Sequence, residues 1–211
     1  MLDLFLSAFV ALFVVIDPPG CAPIYAGLTS RANRRQATSM AIRASTIATL
    51  ILLVFALFGA PLLNALHIEL NSFRIAGGIM LFLIALDMVF EKRTQRREER
   101  AEKIRAANDL TPEVEDVSVF PMAMPMIAGP GSIATIMLLM AKAQGTEQVL
   151  TILAALLAVM ALTLVALAAA GPLMKLLGTK VEAVITRVLG VLLAALAAQY
   201  VIDGLRAVLA G

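Results

Sequence analysis

Residues 2–28 read LDLFLSAFVALFVVIDPPGCAPIYAGL, and the interruption in the middle of this stretch decides how the chain is read. The run from Leu2 to Ile16 carries one charge, Asp3. As an α-helix it rises only about 22 Å, short of a hydrocarbon core about 30 Å thick. The Asp17-Pro18-Pro19-Gly20-Cys21-Ala22-Pro23 that follows cannot continue an unbroken helix, because its three prolines lack a backbone donor and crowd preceding carbonyls. Helix must break inside the membrane and resume beyond it. Met1-Leu2-Asp3 has no basic n-region and the apolar run has no small-x-small cleavage site, so the segment reads as a first span and not as a signal peptide.

The rest of the chain supports a membrane. Of 211 residues, 61% are hydrophobic and 15% charged, against roughly 45–50% and about 25% in soluble domains. Of the 32 charged residues, 15 fall between residues 91 and 116. Charge-poor runs on both sides leave room for six spans, predicted at 2–28, 40–63, 72–90, 118–142, 148–170 and 186–208. Stretches such as 47–63 and 150–170 lack the polar face that a soluble helix keeps. Twelve of the 17 Lys and Arg residues sort to one side of this six-span arrangement. By the positive-inside rule that side is cytoplasmic and both termini are extracytoplasmic. The chain is expected as a multi-pass protein of a cell membrane, a bacterial inner membrane by preference.

Two internal echoes divide the chain. Ile16-Asp17-Pro18-Pro19-Gly20 returns as Ile127-Ala128-Gly129-Pro130-Gly131, 111 residues on, and Arg74-Ile75-Ala76-Gly77 as Arg187-Val188-Leu189-Gly190, 113 residues on. Three spans per half is an odd number, so the second half enters from the opposite face. The predicted fold is an all-α membrane protein of six transmembrane helices in two inverted three-helix repeats, with helices 1 and 4 broken near the midplane. Its parts are 1–90, a charged cytoplasmic connector at 91–117, and 118–211. In the connector, Glu99 with Lys103 suits a solvated helix extending the third span. Thr111-Pro112-Glu113 looks like the start of another.

Broken helices expose backbone groups that hydrocarbon cannot satisfy, so they survive only when packed in protein or lining a polar cavity. One break reads as a proline kink; two at matching places point to a substrate site at the repeat interface. The candidate substrate-binding residues are Asp17, Pro18, Gly20, Cys21, Gly129, Gly131 and Ser132. Asp17 is expected to hold a substrate ammonium. Gly131 and Ser132, at the start of a half-helix, are expected to receive its carboxylate. The competing reading of Asp17 is a plain N-cap accepting from Gly20, and both roles fit one carboxylate. Arg74 with Asp203 at one face, and Asp87 with Arg187 at the other, are candidate gate pairs. The simpler reading is four interfacial charges that snorkel independently.

The motifs Asp17-Pro18-Pro19-Gly20 with Pro23, Ile127-Ala128-Gly129-Pro130-Gly131-Ser132 and Gln199-Tyr200-Val201-Ile202-Asp203-Gly204 resemble the MarC family of the LysE-type exporter superfamily, and the resemblance covers essentially the whole chain. Members more commonly have Asp-Pro-Leu-Gly-Asn-x-Pro at the first motif, so Pro19 and Cys21 here remove a backbone donor and an amide. Asparagine usually occupies the position of Asp203. The resemblance implies small-solute transport, with small neutral amino acids for some members.

Other functions find less support. The chain has no HExxH, no GxSxG and no paired cysteines, and His67 is its only histidine, so it is not read as an enzyme and no metal or cofactor is expected. Cys21 reads as a small packing residue. The charge of +2 does not imply nucleic acid. Expected partners are a small, zwitterionic solute and the lipid bilayer, and a homo-oligomer is compatible with the sequence. The alternative class is a membrane scaffold or lipid-handling protein, for which Gly190, Ala194, Ala197 and Ala198 offer a helix-packing face.

Overall fold

The computed structural model describes residues 1–90, 99, 102 and 116–210, without the side chains of 173–183 and 210. The described residues form helices and no strand. Helix α1 (Leu2–Ile16) ends at Asp17, whose left-handed backbone (φ 58°, ψ 63°) also starts α2 (Pro18–Leu28). The break is one residue long. The Asp17 N–H still donates to the Phe13 carbonyl at 2.9 Å, and the Cys21 N–H donates to the Asp17 carbonyl at 3.0 Å. Pro18 and Pro19 occupy the first two positions of α2, where no intrahelical donor is needed. The first span is therefore continuous over Leu2–Leu28, a milder interruption than the prolines predict.

Helix α3 (Arg34–Ala65) starts from a reciprocal capping box, in which Gln36 N–H donates to Asn33 Oδ1 (2.9 Å) and Asn33 N–H to Gln36 Oε1 (3.0 Å). Its 32 residues reach about 48 Å at 1.5 Å per residue, longer than the bilayer core, so its first turns stand clear of the predicted span. Helix α4 (Leu70–Val89) is the third span. Of the connector, Glu99, Glu102, Asp116 and Val117 are described, the first two of them helical; the expected pairing of Glu99 with Lys103 and the helix start at Thr111 lie outside the described residues.

The fourth span is broken more deeply. Its first part, α5 (Ser118–Ile127), is wound in wide π-type turns: Met122 N–H reaches the Val117 carbonyl (3.2 Å) and Ala128 N–H the Ala123 carbonyl (2.9 Å). Phe120 and Met124, each before a proline, are extended, as the steric clash with a following proline ring requires. Beyond Ala128 and Gly129, α6 (Pro130–Ala141) resumes at a bend of 53°. Helix α7 (Gly145–Ala168) is the fifth span, and α8 (Ala170–Ala210) contains the sixth, Val184–Leu209. Among the described residues, five helices are long and apolar enough to cross a membrane, and the bent pair makes a sixth.

The outward faces are as apolar as the interior: Phe58 is 62% exposed and Leu57, Val165 and Leu192 are more than half exposed. In water this would be an aggregation surface; in lipid it costs nothing. The interior is built largely from small residues, with Ala41, Ala44, Ala48, Ala155 and Ala197 fully buried, which lets backbones approach. One buried cluster joins α1, α2, α3, α5, α6 and α7, and a second joins α1, α4, α6 and α8. Helix α4 packs along α8, α1 on α7, and α3 on α5 and α6.

The α4–α8 seam is set by two glycines. A Cβ on Gly78 would lie 2.9 Å from the Ala197 carbonyl oxygen and 2.8 Å from Val201 Cγ2; one on Gly190 would lie 3.2 Å from the Ala85 carbonyl oxygen and 3.1 Å from Val89 Cγ2. Subtracting 112 from Gly190, Ala197 and Val201 gives positions 78, 85 and 89, so the two contacts are the same contact with the helices exchanged. Of the small-residue face read from sequence, Gly190 and Ala197 are buried and Ala198 is exposed. Small size alone does not tell which side of a helix faces its neighbour.

Candidate substrate site at the helix breaks

Asp17 is 1% exposed and serves as a cap: the Gly20 N–H donates to its Oδ1 at 3.1 Å. A Cβ on Gly20 would fall on the Asp17 carboxylate, so the glycine of this motif makes room for the cap. Pro18 is buried beside it, and the Cys21 thiol, fully buried, donates to the Ile16 carbonyl at 3.5 Å. Asp17 and Cys21 also engage neighbours beyond these bonds. Tyr25, one turn on, donates its hydroxyl to the Ala37 carbonyl and ties α2 to α3.

At the second break, Gly129 is extended (φ −83°, ψ 174°) and starts α6 without a side-chain cap. The Ser132 hydroxyl turns back to the Ile127 carbonyl (2.7 Å) and Thr135 to the Gly131 carbonyl (2.8 Å). The first of these bonds satisfies a carbonyl freed by the break, and the start of α6 borders a cavity of about 150 Å³. Gly129, Gly131 and Ser132 line it with Val15, Pro125 and Asp87. A Cβ on Gly131 would stand 2.6 Å from Ile84 Cδ1 and 3.2 Å from Val15 Cγ1, so only glycine leaves this wall open.

The carboxylate on this wall is thus Asp87 of α4. The expectation of Asp17 opposite Gly131 and Ser132 changes accordingly: the first break contributes Val15 to the cavity, and Asp17, Pro18, Gly20 and Cys21 do not line it. Sequence reasoning had placed Asp87 at a gate. Its signal was there, since an acid within an apolar span is costly unless it has a task, but the crossing of α4 with the break is a tertiary fact.

The candidate gates are also redistributed. Asp203 forms an ion pair with Lys142 at 2.8 Å and accepts from Gln199 Nε2 at 2.7 Å, while Lys142 lies over the Tyr200 ring, 4.8 Å from its centroid. Arg74, the predicted partner, lies within electrostatic reach of Asp203 and Tyr200. It donates to Asn71 Oδ1 at 3.5 Å, and its buried Nε has no hydrogen-bond partner. Lys142 wins because the end of α6 carries it to Asp203. At the opposite face Asp87 borders the cavity and Arg187 is exposed on α8, and both take part in polar or charged contacts. A pair the sequence did not suggest is Arg43 with Asp116, at the start of the fourth span. Burial pushes the Asp116 carboxyl upward. The Ser118 N–H (2.9 Å) and Arg43 outweigh that and hold it below the usual carboxylate range.

Among the described residues, no three His, Cys, Asp or Glu side chains converge as a metal site requires. His67 is exposed in the loop between α3 and α4.

Comparison with known proteins agrees with the helical architecture. The family described as MarC family integral membrane protein matches residues 2–209. A UPF0056 membrane protein of Methanocaldococcus jannaschii is 33% identical over 99% of this chain and 98% of its own length. Another from Archaeoglobus fulgidus is 35% identical over 97% and 93%, and the UPF0056 membrane protein YvbG of Bacillus subtilis 31% identical over 98% and 96%. No solved structure matches the chain. With a family match from end to end and relatives aligned over nearly their whole length, the chain belongs to the MarC family of integral membrane proteins.

Proposed function

We propose that this protein carries small solutes across the membrane, as two inverted three-helix halves around the cavity at the second helix break. The observation that carries the reading is an acidic residue, Asp87, lining the same cavity of about 150 Å³ as a helix start that has no side-chain cap. That volume equals about five water molecules at ~30 Å³ each, the size of a solute of roughly six non-hydrogen atoms. An ammonium group suits Asp87, and a carboxylate suits the amides of Gly131 and Ser132 at the positive end of α6. A small neutral amino acid carries both groups.

The inverted arrangement is supported by the exchange of contacts at Gly78 and Gly190 and by the matched packing of α1 on α7 and of α5 on α3. The Lys142–Asp203 pair serves as the gate on the side of the termini. Its side chains are 39% and 27% exposed, and such pairs contribute ~0–1 kcal/mol, little enough to open and close thermally. The excess of basic residues puts the connector in the cytoplasm and both termini outside. A scaffold role accounts less well for the molecule, because Gly190 and Ala197 are buried against α4 and unavailable to a partner.

The test is counterflow of labelled glycine and alanine into sealed vesicles holding the purified protein, with lysine and glutamate as controls. Uptake of the neutral amino acids is expected for wild type and its loss for Asp87→Asn and Gly131→Val. Wild-type uptake by folded Asp87→Asn protein would overturn the site. No uptake of any zwitterion would overturn the substrate class.

A further inference from the structure

We propose that a second cavity, at the connector-side ends of α2 and α3 and the turn between α7 and α8, is a binding site for an anionic phospholipid, with its phosphate at Arg34. The cavity encloses about 670 Å³ and shares no residue with the break cavity. Its walls are mainly apolar, and one of them, Val165, is 61% exposed on a membrane-crossing helix, so the cavity opens toward the acyl chains. A freely soluble anion has no use for such a wall; an amphiphile does.

The rim carries Thr29, Ser30, Arg34 and Thr38. Thr29 donates to the Tyr25 carbonyl (2.7 Å) and Thr38 to the Arg34 carbonyl (2.9 Å), and Tyr25 at the cavity floor donates to Ala37. These hydroxyls are committed as donors, which leaves Arg34 as the charged donor on the rim. The wall elements come from two stretches of sequence without a carboxylate. None occurs between Asp17 and Glu69 or between Glu147 and Glu182, whereas the same stretches hold Arg31, Arg34, Arg35, Arg43, Lys175 and Lys180.

Arg34 and Arg35 also occupy the first turn of α3, with no acidic residue there. The positive end of a helix disfavours cations, and the Asn33–Gln36 box already caps the backbone, so the arginines do nothing for the helix. A bound anion relieves both, and basic pockets between membrane helices take acidic headgroups in this way.

The experiment is native mass spectrometry of the full-length protein released from nanodiscs of equimolar phosphatidylglycerol and phosphatidylcholine. Wild type is expected to retain phosphatidylglycerol preferentially. Arg34→Gln is expected to cut that preference about fivefold, the equivalent of ~1 kcal/mol for one basic residue at the lipid surface, and Arg34→Lys to keep most of it. Filling the cavity from its apolar wall with Ala169→Phe is expected to reduce retention of the lipid itself. Equal retention of the two lipids, or a preference untouched by both Arg34→Gln and Ala169→Phe in protein that runs as wild type on gel filtration, overturns the proposal. Displacement of the lipid by soluble glycerol phosphate also overturns it, in favour of a phosphate site. None of these readings depends on solute uptake.

Discussion

The α4–α8 seam makes a prediction whose size follows from comparing two helical glycines, Gly78 within α4 and Gly27 in the last turn of α2. Gly27 of α2 has no atom within 4 Å of the place a Cβ would take, whereas at Gly78 the Ala197 carbonyl oxygen lies 2.9 Å and the Val201 amide nitrogen 3.0 Å away. Alanine at either position gains the same helix propensity over glycine, up to ~1 kcal/mol. That gain cancels when the two variants are compared. What remains is the clash, and because the obstructing atoms at Gly78 are backbone, α8 must move as a unit. Overpacking of this kind costs about 1–3 kcal/mol. Gly27→Ala is therefore expected at or above wild-type stability, and Gly78→Ala lower than Gly27→Ala by about 1–3 kcal/mol. Gly190→Ala is expected to fall between them, because its nearest obstacles include the side chains of Met88 and Val89 as well as the Ala85 carbonyl. Unfolding by titration with SDS from mild detergent gives the free energies. The buried Cys21 thiol, the chain's sole cysteine, supplies an internal labelling signal for loss of the fold. Gly78→Ala as stable as Gly27→Ala would refute the close packing and, with it, the symmetry drawn from the glycine pair.

At the first break, Asp17→Asn is expected to keep most of the stability because an amide oxygen still accepts from Gly20. Asp17→Ala should lose about 0.5–2 kcal/mol in the same titration, and equal loss in both would contradict the capping role. The connector is expected to be cytoplasmic, so a cysteine introduced at Gln95 should resist an impermeant external reagent in intact cells and react after permeabilisation. For Asp116, a folded pKa held below the unfolded value makes its contribution present above about 3.9 and lost as pH falls through the lowered folded value. Asp116→Asn should therefore be less stable than wild type at pH 7, and the two should converge as pH falls below the lowered folded value; a gap that widens on acidification would reverse the sign.

The prolines near residue 20 and near residue 125 look alike in sequence yet give different breaks. Asp17 can cap what Pro18 begins, so a single left-handed residue suffices and the helix bonds run on either side of it. In the second half Ala128 stands where Asp17 would, with Gly129 next to it. Without a side chain to cap the new start, the chain swings through 53° and α6 starts at the cavity. This asymmetry was legible only as the substitution of alanine for aspartate.

Sequence alone determined what depends on local chemistry. Composition demands lipid, and runs of about 20 apolar residues mark the spans. Prolines locate the breaks to within a residue or two, because a missing donor acts where it stands. What only the tertiary structure decided is which side chains meet. Asp87 reaches the second break because α4 crosses it. Lys142, more than 60 residues away in sequence, takes Asp203 from Arg74 because α6 ends beside α8. In a membrane the apolar faces toward lipid and toward protein carry the same residue types, so hydrophobic pattern cannot say which way a helix turns. The rotation of each helix is set by glycines and alanines fitting backbone to backbone, and such contacts have no signature along the chain.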